Sequence, residues 1–302
     1  MIALIQGLAA NPGSGVALPP RWGWYVILYF FLGGIAGGLT AIGAGLELVG
    51  DPRDRDAVQI THRLAFPLII ACALLLIIDL GRPDRFWHMV FKSERFPALI
   101  LKPWSPISLG SWILTIYGLV AVLQYYAPDK LEKLPPGVRR AWQILAGLVG
   151  FTLAGYTGVL VAGGGNVAWH NARLMGALFL LSGTSTAYAL LTLLLLRRGR
   201  TASDPTLRKL SDGDRWAVIL EAIVLVIMLV ALGSLGRVFW TGWFGVVFWL
   251  GVVGLGLIVP LARRWTSLDL RRSATCVLVG GLLLRFVIVM SPQFPRVALW
   301  HL

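Results

Sequence analysis

Cysteine is nearly absent from this chain, with two residues, Cys72 and Cys276, in 302. Neither stands in a Cys-x-x-Cys-His, a zinc-type spacing or an iron–sulfur run. A haem thioether, a structural zinc and an iron–sulfur cluster held by this polypeptide are therefore excluded. Acidic residues are scarce as well, 14 against 27 Lys and Arg, which leaves a net charge of +13. Long polar segments are the third shortage. The most extended ones are the arm up to Arg21, the Gly81–Pro106 connection and the Arg197–Arg215 loop, and none can build a core of its own. What fills the rest is apolar: hydrophobic residues make up 57% of the sequence.

That material falls into eight stretches, each long enough for a bilayer crossing, which takes about 20 helical residues. They run Trp22–Val49, Leu64–Leu80, Ile107–Tyr126, Trp142–Ala162, Leu174–Leu196, Trp216–Leu235, Trp243–Ala262 and Ala274–Ser291. The fold class expected is an all-α polytopic membrane protein of eight transmembrane helices. A natural division is two four-helix bundles, 1–163 and 174–291, in one membrane domain. Basic residues report its orientation. The termini and the even connections carry 9 Lys and Arg, while the odd connections carry 17. Positive charge favours the cytoplasmic side, so both termini are expected outside. So distributed, the +13 reports topology and lipid contact and does not point to a nucleic-acid partner. The second connection departs from this trend, placing Arg82, Arg85, Lys92, Arg95 and Lys102 on the outer face.

With spans placed, the four histidines exclude a further class. His62 stands at an inner helix end, His88 and His170 on outer segments and His301 at the terminus. No two face each other within the membrane, so the paired axial ligands of a b-type haem are missing. The ionisable residues within spans are Glu47, Asp79, Glu221 and Arg285. Such residues are costly in hydrocarbon and mark function or a buried pairing. For Asp79 two readings stand: a pairing with Arg82 or Arg85 that ends its helix, or proton exchange at the outer face. Glu47 either reaches the inner interface or joins a proton path with Glu221 and Arg285.

The first span carries Phe31-Leu-Gly-Gly-Ile-Ala-Gly-Gly-Leu, two overlapping small-xxx-small pairs. These permit close approach of a neighbouring helix, or of a flat ligand. Trp22, Trp24, Tyr25 and Tyr29 form an aromatic belt at its outer end, echoed by Trp104, Trp142, Trp216 and Trp243 at other span ends. Pro83 and Gly81 close the second span, Phe86, Trp87 and Met89 suggest a short surface helix, and Ser105-Pro106 opens the third span.

Several of these elements together resemble a known family. They are Trp24…Tyr29-Phe-Phe-Leu-Gly-Gly-Ile-Ala-Gly-Gly, Leu76-Ile-Ile-Asp-Leu-Gly-Arg-Pro-Asp-Arg-Phe-Trp, Ser105-Pro-Ile-Ser-Leu-Gly-Ser-Trp, Ala154-Gly-Tyr-Thr-Gly-Val-Leu and Leu283-Leu-Leu-Arg-Phe-Val. Nearly end to end, the sequence resembles the NrfD/polysulfide reductase membrane-subunit family. The Asp-Leu-Gly-Arg-Pro…Phe-Trp element followed by Ser-Pro-x-Ser-x-Gly is its most specific part. The resemblance implies a haem-free subunit of a bacterial or archaeal cytoplasmic membrane that binds menaquinone or ubiquinone. It also implies a ferredoxin-like iron–sulfur partner and a molybdopterin catalytic subunit. In that family the quinone lies near the outer surface within the first four helices. Here that region holds Trp24, Tyr25, Tyr29, Asp79, Tyr156 and His170. A quinone needs a flat slot with donors at its carbonyls and an acid nearby. Tyr156 and His170 can donate, and Asp79 can exchange protons.

The expected function is electron transfer between the quinone pool and an extracytoplasmic iron–sulfur subunit docked through Arg82, Arg85, Trp87, Lys92 and Arg95. Two other classes stay open: a secondary transporter, though no matched pair of interrupted spans is found, and a purely structural anchor.

Overall fold

A computed structural model describes residues 21–91, 98–262 and 267–294. Eight helices among them are long and apolar enough to cross a membrane. They are α1 (Trp24–Val49), α2 (Arg55–Asp79), α3 (Pro106–Tyr126), α4 (Pro136–Ala162), α5 (Met175–Arg197), α6 (Pro205–Leu232), α7 (Gly242–Leu261) and α8 (Ser267–Met290). The described residues contain no strand beyond a single bridge between Phe91 and Leu99. One end of the assembly carries Trp22, Asp79 and residues 82–91 and 98–104; the other carries Asp51, Arg200 and the start of α6.

α1 is the most enclosed helix. It packs against α2, α4, α5 and α8, while α5 packs against α1, α4, α6 and α8. Its glycines make this possible. A Cβ on Gly38 would come within 2.8 Å of the Gly183 carbonyl and 2.7 Å of the Ala187 Cβ on α5. On the other flank, a Cβ on Gly37 would strike the Gly150 carbonyl of α4. Gly34, Gly37 and Gly38 of the first span's small-residue stripe are thus consumed by helix packing. α7 is π-helical over Val247–Ile258, and its Gly256 lies against Gly280 of α8. Trp24, Trp104 and Trp243 are exposed at or beside helix starts, as an interfacial belt requires, and Trp216 is exposed within α6.

Helices α2, α4, α6 and α8 begin well before their apolar stretches, α6 by eleven residues, at Pro205 instead of Trp216. Hydropathy registers the apolar part of a helix, whereas charged residues extend the same helix into water. At α6 the extension is held in place. Lys209 donates to Asp51 (2.6 Å) and to Asp54 (2.9 Å), and the Thr206 hydroxyl donates to Asp54 (2.7 Å). Arg200 bridges Asp56 and Asp204, both at 2.7 Å. These bonds clip the α1–α2 turn to the start of α6.

The Lys209 ammonium, with the Arg53 backbone N–H, holds the Asp51 carboxyl below the usual carboxylate range. A depressed carboxylate contributes its full stability above its unfolded pKa, near 4, and loses it as pH falls through the lower folded value. Thermal unfolding should therefore show an acid-dependent loss below about pH 4 that Lys209→Met weakens. Identical pH profiles for the two proteins would remove the clip from the account.

Candidate functional site

At the Trp22 end, α1 to α4 enclose a pair of tyrosines. Tyr29 on α1 and Tyr156 on α4 are buried and within electrostatic reach of each other. Tyr29 sits among Phe30, whose ring centre is 5.3 Å away, and Cys72, whose thiol donates to the Tyr29 carbonyl at 3.8 Å. The Tyr156 hydroxyl donates to the Pro106 carbonyl, and its ring lies where a side chain on Gly110 of α3 would stand. Deeper along the same four helices, the Tyr117 hydroxyl of α3 crosses the interior to the Ala36 carbonyl (2.6 Å) and the Thr40 hydroxyl (2.7 Å) of α1.

A second polar centre lies where α1, α5, α6 and α8 meet. Arg285 of α8 is fully buried. Its Nε donates to the Phe30 carbonyl (3.2 Å), and its Nη1 donates to the Ser182 hydroxyl (3.1 Å) and the Gly281 carbonyl (2.7 Å). The guanidinium stacks over Phe179 at 5.3 Å and Phe31 at 5.7 Å, and Gly34 leaves the room it occupies. Ser182 stands between this cation and the buried Glu221 carboxylate of α6, within hydrogen-bonding reach of both. Glu221 and Ser182 line a crevice with Thr186, Val252 and Gly280 that is too narrow for a water molecule. Glu221 and Arg285 act on each other electrostatically across Ser182.

The residues singled out in the sequence separate into groups. Tyr29 and Tyr156 come together. Trp24 turns away, stacked on Phe286 of α8 at 5.2 Å, and Tyr25 is exposed. His170 is exposed on the short helix Val167–Asn171, while its neighbour Trp169 turns inward, stacks on Trp22 at 4.9 Å and donates to the Ile288 carbonyl. Asp79 is exposed at the end of α2, and of the two pairings open to it neither forms. Arg85 pairs instead with Asp84, at 3.8 Å, and Arg82 forms no ion pair among the described residues. Glu47 stands 3.4 Å from His62.

Asp214 and Asp54 were missed as buried charges because both precede the apolar stretch of their helices. Asp214 accepts from the Ser185 hydroxyl of α5 at 3.0 Å and lies two turns before Glu221 on the same face of α6. That seven-residue spacing was the available signal.

The 82–104 connection is anchored to α3. Trp112 donates to the Ile100 carbonyl (2.7 Å), and the Ser108 hydroxyl accepts from the Lys102 N–H (3.1 Å). Its 3₁₀ segment Pro83–Met89 leaves Arg82, Arg85 and Phe86 exposed, with Trp87 half-buried. Lys92 and Arg95 lie outside the described residues.

Comparison with known proteins covers nearly all of this architecture. A family model described as "Polysulphide reductase, NrfD" matches residues 16–296. The sequence is 29% identical to Protein NrfD of Escherichia coli strain K12, an alignment spanning 90% of this protein and 95% of that one. It is 27% identical to the C subunit of polysulfide reductase from Wolinella succinogenes, over 90% of this protein and 94% of that one. An NrfD homolog of Haemophilus influenzae is 23% identical over the same shares. With its eight spans and a match running from before the first helix to beyond the last, the protein belongs to the NrfD/polysulphide reductase family of multi-pass membrane proteins.

Proposed function

We propose that this protein is the quinone-handling membrane subunit of a respiratory oxidoreductase in a bacterial or archaeal cytoplasmic membrane. It passes electrons between menaquinone or ubiquinone and an extracytoplasmic iron–sulfur subunit. A molybdopterin subunit would complete the enzyme. Membership of the family supports this reading, as does likeness to a protein named as one subunit of a polysulfide reductase. The single observation that carries it is the Tyr29 hydroxyl. It is buried in an aromatic setting beside a second tyrosine, at the end of α1–α4 that carries Trp22 and Asp79, and a hydroxyl so placed can donate to a quinone carbonyl.

The residues present fit a quinone. Tyr29 would hold one carbonyl. Tyr156, already bonded to Pro106, would orient the neighbouring wall, and Gly33 and Gly110 would keep the slot flat. A bound quinone supplies two-electron, two-proton redox chemistry. Asp79, exposed at the same end, exchanges protons with the aqueous face. Arg82, Arg85 and Trp87 present the cationic and aromatic surface for the iron–sulfur partner. Glu221 and Arg285, with Glu47, are the buried charges available to a proton path.

The test is quinol turnover by the assembled complex in native membranes. Tyr29→Phe should lower it about tenfold, the equivalent of one neutral hydrogen bond of ~1.4 kcal/mol. Tyr156→Phe should lower it less, with insertion of both variants intact. Unchanged kinetics in both would remove the tyrosine pair from the site. Ligand-driven flux by this protein alone in liposomes would instead identify a transporter.

A further inference from the structure

The other end of the first four helices holds a polar interior that its own side chains do not satisfy. Gln124 of α3 is 1% exposed, and neither its amide oxygen nor its amide nitrogen finds a partner. Both of its ends are therefore buried and idle. The position it faces follows from helix geometry. α1 and α3 run in the same direction, and Tyr117 of α3 is hydrogen-bonded across the interior to Thr40 of α1. Seven residues on, two turns and about 10.5 Å along each axis, the same faces present Gln124 on α3 and Glu47 on α1.

His62 of α2 stands 3.4 Å from the Glu47 carboxylate, yet its Nε2 makes no hydrogen bond. Gln143 of α4 is also buried at this end. The helix walls between these groups are built from small residues. Ala44 of α1 lies against Gly147 of α4, and Ala121 and Ala146 are fully buried.

We propose that this space binds ordered water. The waters bridge Gln124, His62 and Glu47, and they continue to the aqueous face at the Asp51 end past Glu132 and Arg139, the charges that act on Glu47 from that side. A buried amide with both ends unmet is costly, and water is the ligand that donates to its oxygen while accepting from its nitrogen. The Glu221 crevice differs in this respect, since it is too narrow for water and its carboxylate has Ser182 and Arg285.

A hydrated inlet here gives protons a route into the interior of α1–α4, ending one level below the Tyr117–Thr40 pair. Tyr29 and Tyr156 stand further toward the Trp22 end of the same four helices. The purpose of the inlet rests on the quinone reading, but its existence does not. It is a different route from one through Arg285, because every group in it belongs to the first four helices or to the connection between α3 and α4.

The deciding experiment is a cryo-EM map of the full-length protein in nanodiscs, at a resolution that shows water. Density within hydrogen-bond distance of both Gln124 amide atoms and of His62 Nε2 is expected. A space without density, or an apolar group folded over the amide, overturns the proposal. The variant Gln124→Leu gives a second readout that needs no quinone. If water satisfies the amide, the substitution leaves the melting temperature unchanged or lower and removes the density. A raised melting temperature would mean the amide had been left unpaired in a dry interior, which also overturns it. Loss of quinol turnover in Tyr29→Phe bears on the quinone slot alone and leaves this outcome untouched.

Discussion

Replacing Arg285 with leucine should destabilise the protein by about 3–5 kcal/mol, the range seen when one member of a buried charge pair is removed. The cation is fully enclosed and serves the Phe30 carbonyl, the Gly281 carbonyl and Ser182 together, with Glu221 beyond. Leucine removes that donor from Ser182 and the cation that faces Glu221, in a setting with no water to replace it, while the two carbonyls keep only their helix bonds. The loss comes from what remains behind more than from the pair itself. A double variant, Arg285→Leu with Glu221→Leu, should therefore recover most of the stability, because both charges disappear. Denaturant titration of the purified protein in mixed micelles reads both. If the single variant unfolds at the wild-type denaturant concentration, Arg285 is not a keystone of the α1–α5–α8 junction.

Gly183→Leu should be damaging on a similar scale. Gly183 lies where α5 comes close to α1: a Cβ there would stand 3.0 Å from both the Gly34 Cα and its carbonyl oxygen. These are backbone atoms of a helix clasped by four others, and they cannot step aside. Overpacking of cores typically costs about 1–3 kcal/mol, and a leucine against two backbones should reach or exceed the upper end. Loss of monodisperse protein after detergent extraction is the expected outcome. Gly45→Ala on the same helix as Gly34 is the control. Nothing lies within 4 Å of its added Cβ, and it should be neutral or stabilising by up to ~1 kcal/mol through helix propensity. Equal behaviour of the two variants would mean that the α1–α5 contact does not set the fold.

The eight spans were legible because hydropathy over about 20 residues answers directly to the bilayer. Family membership was legible in Asp79-Leu-Gly-Arg-Pro and Ser105-Pro-Ile-Ser, which lie at helix ends where geometry restricts the choice of residue. Two kinds of information were not. Helix starts at the Asp51 end were placed too late, since Asp54, Asp56 and Lys209 read as loop while continuing helices into water. That error hid Asp214, which by sequence stands outside the membrane and by structure is buried against Ser185. Side-chain direction was the other. Trp24 and Tyr29 are five residues apart on one helix and separate onto different faces, toward α8 and toward α2 and α4. An aromatic belt in sequence does not say which of its rings faces inward. The pairing of Glu221 with Arg285 likewise spans 64 positions and has no local signature.

The helix that ends up most surrounded is also the first of the eight spans to be synthesised. When α1 leaves the ribosome its glycine seam has only α2 to lie against; α4, α5 and α8 arrive up to some 220 residues later. Until then its grooves are filled by lipid tails, and the clip from Asp51 to Lys209 is open. A polypeptide interrupted anywhere before α8 therefore displays an unfinished seam within the bilayer. Intramembrane quality-control proteases would have a ready means of distinguishing such fragments from the finished protein.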